Sequence, residues 1–148
     1  MPKTEHHSQT LRQGRVSIPN QLYSITTVTR ERIPVFEALD AARSLIQVLR
    51  EHEINGDAKT LCFVVMPDHL HWLMQLGENK SLSATVQSVK SITSKCCGWA
   101  LWQRGFHERA IRWDEDIAGV ARYIIANPVR ASLVGSVWEY PHWNAVWV

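Results

Sequence analysis

The stretch Val64-Val65-Met66-Pro67-Asp68-His69-Leu70-His71-Trp72-Leu73-Met74 decides how this chain folds. An apolar run meets a Pro-Asp pair, suited to the middle of a tight turn, and then resumes. Thr60 to Met66 reads as a central strand, and residues 69–76 as a strand returning antiparallel beside it. Residues i and i+2 of a strand share a face. His69 and His71 then point the same way, about 6.5–7 Å apart along the strand by its rise per residue. Leu70, Trp72, Met74 and Leu76 point the other way, towards a core. Two imidazoles projecting from one strand can share a metal ion. Taken alone, such a pair is more often two half-buried or surface histidines, because two ligands do not define a site.

Working outward, Leu22 to Thr29 is rich in β-branched residues and reads as the first strand. Pro34 suits the first turn of a helix. Val35, Leu39, Ala42, Ile46 and Leu49 follow at helical spacing, widened by Leu45 and Val48. Asn55-Gly56-Asp57 signals a turn. Ser81 is a good N-cap for a helix with the stripe Leu82, Val86, Val89, Ile92 and Cys96. Its other face, with Gln87, Lys90, Ser91, Ser94 and Lys95, is read as wet. Leu101 to Ile111 supplies a further strand broken by Gly105. Asp114 is placed to cap a third helix whose apolar side is Ile117, Ala121, Ile124 and Ile125. Trp138, Tyr140, Trp143 and Trp147 make a tail that can fold back as a cover. The order β-α-β-β-α-β-α implies an α+β class, a ferredoxin-like antiparallel sheet with helices packed on one face plus a C-terminal tyrosine-bearing helix.

The 148 residues suit one domain spanning 1–148, with 1–14 as a flexible basic arm. Cys62, Cys96 and Cys97 form neither a disulfide framework nor a CxxC knuckle, so they read as small core residues in a reducing compartment. No apolar run is long enough to cross a bilayer, and the polar N-terminus lacks a signal-peptide core, so the expectation is a cytoplasmic protein without a membrane partner. A net charge of +2 does not itself demand nucleic acid, so any such partner must be argued from where the charges sit.

Tyr123 and Asn127 are four apart and therefore neighbours on a helix. If their side faces His69 and His71, two imidazoles and an amide oxygen could hold one divalent ion beside a phenol. A metal on a phosphodiester oxygen offsets the charge that builds up in the transition state. A tyrosine hydroxyl could then attack in line and keep the bond energy in a phosphotyrosine. Histidine ligands lean towards Mn²⁺ or Zn²⁺, and an oxygen ligand plus phosphate towards Mg²⁺. Singly, Tyr123 reads as a packed ring with a wet hydroxyl and Asn127 as a helix end before Pro128.

The segment Met66-Pro67-Asp68-His69-Leu70-His71-Trp72-Leu73 resembles the histidine-hydrophobe-histidine motif of the HUH single-tyrosine transposases. Tyr123-Ile124-Ile125-Ala126-Asn127-Pro128-Val129, with Ala131, Leu133 and Val134, resembles their tyrosine helix. Gly14 to Pro19 and Trp102 to His107 are similar to motifs of one branch, the REP-associated tyrosine transposases. The resemblance runs from about Gly14 to the C-terminus. It implies His69, His71 and Asn127 as ligands of a divalent metal, Mg²⁺ or Mn²⁺, and Tyr123 as the nucleophile. It also implies cleavage of single-stranded DNA near palindromic hairpins through a 5′-phosphotyrosine, at the nucleoid, by a monomer or homodimer. Two departures stand out. Asp68 replaces a frequent asparagine, a turn change expected to matter little, and Arg109 replaces a second histidine. Arg12, Arg15, Lys90, Lys95, Arg104, His107 and Arg109 are the candidate DNA contacts. The competing reading is a non-catalytic single-stranded nucleic-acid-binding module of the same fold, which would display aromatics on its sheet.

Overall fold

A computed structural model describes residues 17–148. The arm 1–14, with Arg12, lies outside the described residues, as does Arg15. Five strands, β1 (Leu22–Val28), β2 (Ala58–Met66), β3 (His69–Leu76), β4 (His107–Ile111) and β5 (Trp143–Ala145), form one sheet in the order β4-β1-β3-β2-β5. Every neighbouring pair is antiparallel. Met66 pairs with His69, so Pro67 and Asp68 make a two-residue turn. Two outside bonds pin it: Phe36 N–H donates to the Pro67 carbonyl at 2.9 Å, and Thr29 N–H to the Asp68 carbonyl at 2.9 Å.

The alternation read along β3 is realised. Leu70, Trp72, Met74 and Leu76 enter a core with Ile25 and Val65, under the helices α1 (Leu39–Ile54) and α2 (Leu82–Cys97). Trp72 is fully buried and its indole N–H donates to Thr60 Oγ1 at 2.9 Å, so burying this polar atom leaves no unmet donor. The opposite face carries Leu22, Val64, Leu73 and Ile111 under Ala121 and Ile124 of helix α3 (Ile117–Ile125). A single-turn helix, α4 (Asn127–Arg130), follows directly. Both sheet faces are therefore covered, with α1 and α2 on one and the tyrosine-bearing α3 on the other. No helix among the described residues is long and apolar enough to cross a membrane.

Several local expectations shift. Val35 lies in a separate 3-10 turn, Val35–Glu37, and α1 begins only at Leu39, because Ala38 is extended. On α2, Ser81 Oγ accepts from Ala84 N–H as expected. Ile92 and Cys96, however, turn outward, while Thr85, Lys90 and Thr93 are buried. Both threonine hydroxyls donate to the carbonyl four residues back, which makes their burial inexpensive. The strand expected over 101–111 survives only as β4, because Gly105 takes a positive φ. Trp102 still bridges to Thr29. Asp116, rather than Asp114, caps α3, its carboxylate accepting from Gly119 N–H at 2.9 Å. The tail does fold back: Trp143 pairs with Val64, and Tyr140 Oη donates to the Val65 carbonyl at 2.6 Å. Cys62 is buried, and burial pushes its thiol up to about 12.

A candidate metal and nucleophile site on the sheet

The side chains of His69 and His71 lean together from β3. Their Nε2 atoms stand 3.1 Å apart and their rings are perpendicular. The other nitrogen of each ring is held from behind. His69 Nδ1 lies 2.6 Å from Asp68 Oδ1, and His71 Nδ1 lies 3.1 Å from Thr26 Oγ1. A carboxylate is acceptor only, so His69 Nδ1–H donates to it, and the neutral ring then presents a lone pair at Nε2. A threonine hydroxyl can donate or accept, so it supports either tautomer of His71. Without an ion, His71 Nε2–H can donate to His69 Nε2; with Nδ1–H donated to Thr26, both Nε2 atoms are free to ligate.

The charges favour a neutral His71. Burial, then His69 and Arg130 nearby, depresses His71 to about 4. Burial would raise the Asp68 carboxyl, but the bonds from His69 and Arg32 outweigh it and hold it below the usual carboxylate range. Arg32 reaches Asp68 Oδ2 at 3.1 Å. Asp68 therefore does more than shape the turn, contrary to the expectation for this departure. Its backbone fixes the hairpin while its carboxylate orients His69, an arrangement typical of ligating histidines.

The donor set fits a divalent cation. Nitrogens each about 2.1 Å from one ion, at angles between those of octahedral and tetrahedral geometry, stand about 3.0–3.4 Å apart. Among the described residues no cluster of three or more His, Cys, Asp or Glu side chains forms, so a further protein ligand would have to be an oxygen donor of another kind. Asn127 carries such an oxygen. Its amide must turn nitrogen towards the Ile124 carbonyl, which it meets at 2.7 Å, and its oxygen is left as the atom for a cation.

Tyr123 is 67% exposed on α3, the helix that covers the histidine face. The Arg130 guanidinium lies 3.8 Å from its ring centroid, and the same cation acts on His71. Arg130 thus lies against the phenol ring and within electrostatic reach of His71. The break after α3 makes this possible: Ala126 ends the helix, and Pro128 in the first turn of α4 starts a new one that carries Arg130 back.

Sheet register places two of the candidate DNA contacts on the same face. His107 pairs with Thr26, which pairs with His71, and Arg109 pairs with Ser24, which pairs with Leu73. Two strand spacings put His107 about 9.5 Å from His71. Both residues are exposed, although Arg109 is bonded to Glu115 at 3.2 Å. Lys95 and Arg104 are exposed elsewhere, around α2. Lys90 departs from its expected place on a wet face. It is 5% exposed, and its ammonium donates to the carbonyls of Gln103 and Gly105. Thr26, Asp68 and Arg130 are the neighbours whose contacts the sequence did not specify; the acidic residue directly before His69 was the one available signal.

With this geometry in view, the relatives are informative. A family model described as Transposase IS200 like matches residues 17–127. The chain belongs to the IS200-like transposase family. Within it, the chain groups with the REP-associated tyrosine transposases. It is 30% identical over 139 residues to a protein of Haemophilus influenzae bearing that name, covering 82% of this chain and 77% of the relative. A REP-associated tyrosine transposase of Escherichia coli is 31% identical over 100 residues, covering 66% and 58% of the two chains. The structure of a REP-associated tyrosine transposase bound to a REP hairpin matches with a TM-score of 0.73 at 25% identity, over 97% of this chain and 82% of that one. A transposase-like protein of Deinococcus radiodurans, at 20% identity and a TM-score of 0.54, shares the fold.

Proposed function

We propose that this transposase-family protein is a metal-dependent single-stranded DNA endonuclease and strand transferase acting near palindromic hairpins through Tyr123. The observation that carries the reading is the pair of Nε2 atoms 3.1 Å apart, oriented from behind, on the sheet face that the helix of the exposed Tyr123 covers. Tyr123 Oη bonds to the scissile phosphorus as the bond to the 3′ oxygen breaks, leaving a 5′-phosphotyrosine and a free 3′-hydroxyl. The phenol proton goes to solvent, and the departing oxygen takes one up. An incoming 3′-hydroxyl then reverses the step and releases the phenol. His69, His71 and Asn127 would hold Mg²⁺ or Mn²⁺, which when bound polarises the phosphoryl oxygen and offsets its developing charge. Arg130, His107 and Arg109 would bind phosphates near the break, and Arg12 and Arg15 would extend that role towards the N-terminus.

The hairpin-bound relative supports REP-like hairpins, repetitive extragenic palindromes, as the substrate class. The same reading puts the protein at the nucleoid in the cytoplasm, as a monomer or homodimer. A binding-only module that stacks bases on its sheet is less well supported, because α1 and α2 cover one face and α3 the other.

The test is purified protein with Mg²⁺ or Mn²⁺ and a single-stranded hairpin substrate, resolved on a denaturing gel. A covalent protein–DNA adduct is expected, and Tyr123→Phe should abolish it. Cleavage that persists in Tyr123→Phe would assign the reaction to water and overturn the role of the phenol.

A further inference from the structure

Across the sheet from the histidines, α2 and the segment 99–106 enclose an open groove of about 1160 Å³. Its banks differ in origin but match in charge. Lys95 stands on α2 and Arg104 on the facing loop, and no carboxylate lines the groove among the described residues. Gln87 and Ser91 add polar groups between them, and Trp99, 41% exposed, lies among the lining residues. Trp102 also lines the groove; it is only 8% exposed, yet its indole N–H has no acceptor. A cation-lined concavity with hydroxyl and amide donors suits a phosphodiester backbone, and an exposed indole suits an unpaired base.

The loop bank is built rather than incidental. The buried Lys90 ammonium bonds the Gln103 carbonyl at 2.9 Å and the Gly105 carbonyl at 2.6 Å. These carbonyls flank Arg104 and hold its backbone against α2. Gln103 N–H donates to the Val28 carbonyl, and Val28 pairs with His69. The loop bank of the groove is therefore tied to the end of β1 that pairs with the histidine end of β3.

We propose that this groove is a second DNA contact, a track for a single-stranded segment adjoining the hairpin, distinct from the site of strand breakage. The proposal rests on reading the chain as a DNA-processing enzyme. A concave site with cations on both banks and an exposed indole is matched by one flexible strand lying within it, because only an unpaired base can stack on Trp99. Lys90 acts here as a positioning residue.

Binding is measured by fluorescence anisotropy in the full-length Tyr123→Phe protein with EDTA, against labelled oligothymidine and a blunt hairpin, over a range of KCl. Cutting plays no part in this readout, so an unsubstituted protein that fails to form an adduct with metal present would sink the proposed function and leave the groove untouched. Lys95→Ala and Arg104→Ala are each expected to reduce the salt slope for oligothymidine by about 0.7. Trp99→Ala is expected to weaken oligothymidine binding about fivefold or more, with little change for the blunt hairpin. Slopes and affinities equal to the parent overturn the proposal, as does equal weakening of both DNAs by Trp99→Ala. Photocrosslinking of iodouracil-substituted oligonucleotide to the parent gives an independent check should a variant misfold. Crosslinks at Trp99 are expected, and crosslinks confined to the histidine face reject the track.

Discussion

The guanidinium of Arg130 lies over the face of the Tyr123 ring, 3.8 Å from its centroid, and its charge also reaches His71. Two elements separated by a proline-started turn are thereby coupled at one point. A cation over an aromatic face contributes about 0.5–1 kcal/mol at an exposed site, enough to bias the ring but not to fix it rigidly. The larger consequence is geometric, because a bound phosphate on Arg130 would be brought to the phenol.

Arg130→Ala should therefore slow adduct formation by about 10²-fold, the scale associated with a misplacement near 1 Å. Arg130→Lys should recover part of the rate, since it keeps the charge but loses the planar fork. Single-turnover rates at saturating hairpin DNA check this, and Mn²⁺ affinity should stay near that of the parent. An unchanged rate in Arg130→Ala would remove Arg130 from the reaction.

Asp68 and Thr26 hold the rear nitrogens of the two imidazoles, so their loss should appear in metal affinity before fold stability. Asp68→Ala and Thr26→Val are each expected to weaken Mn²⁺ binding about 10–100-fold. Asp68→Asn should fall between, because an amide oxygen still accepts from His69 but carries no charge. The turn survives these changes, since Thr29 bonds the backbone carbonyl of Asp68. Calorimetric titration with Mn²⁺, alongside thermal melts in EDTA, separates the two effects.

The depressed His71 also fixes a pH response. Its folded value is about 4 against an ordinary 6.5, so the unfolded chain binds the proton more readily. Stability contributed by the neutral ring is present above 6.5 and is lost as pH falls from 6.5 towards 4. His142, lowered mainly by burial, and Asp68, lowered as well, act in the same direction, the latter at more acid pH. In EDTA, Tm should be lower at pH 5 than at pH 7, and His71→Gln should shrink that difference without abolishing it. A difference the same size in His71→Gln would contradict the burial of this ring.

The histidine face was legible because alternation along residues 69–76 reports which way a side chain points. The hairpin was legible because Pro67 and Asp68 interrupt an otherwise continuous apolar run. Helix α2 was harder. Thr85 and Thr93 look like surface residues until their hydroxyls are seen to bond their own helix, and Lys90 is buried only because carbonyls from the 103–105 loop meet it. Likewise, nothing local to Arg130 tells that it folds back over Tyr123. Periodicity reports faces within an element, whereas these contacts depend on how separate elements meet.

The start of the tyrosine helix offers a last test. Asp116 caps α3 by accepting from Gly119 N–H, and a Cβ added at Gly119 would collide with that same carboxylate. Gly119→Ala replaces a residue with poor helix propensity by the best one, so propensity alone predicts stabilisation by about 1 kcal/mol. The collision predicts the opposite, since displacing the cap costs about 1 kcal/mol and exposes the first turn. Asp116→Ala removes the cap without a clash and should lower stability by a similar amount. If the cap governs this helix, the double variant should be more stable than Asp116→Ala alone, because the alanine at 119 then meets no carboxylate. Urea denaturation of the four proteins decides it, and additive losses would show that Gly119 is needed for some other reason.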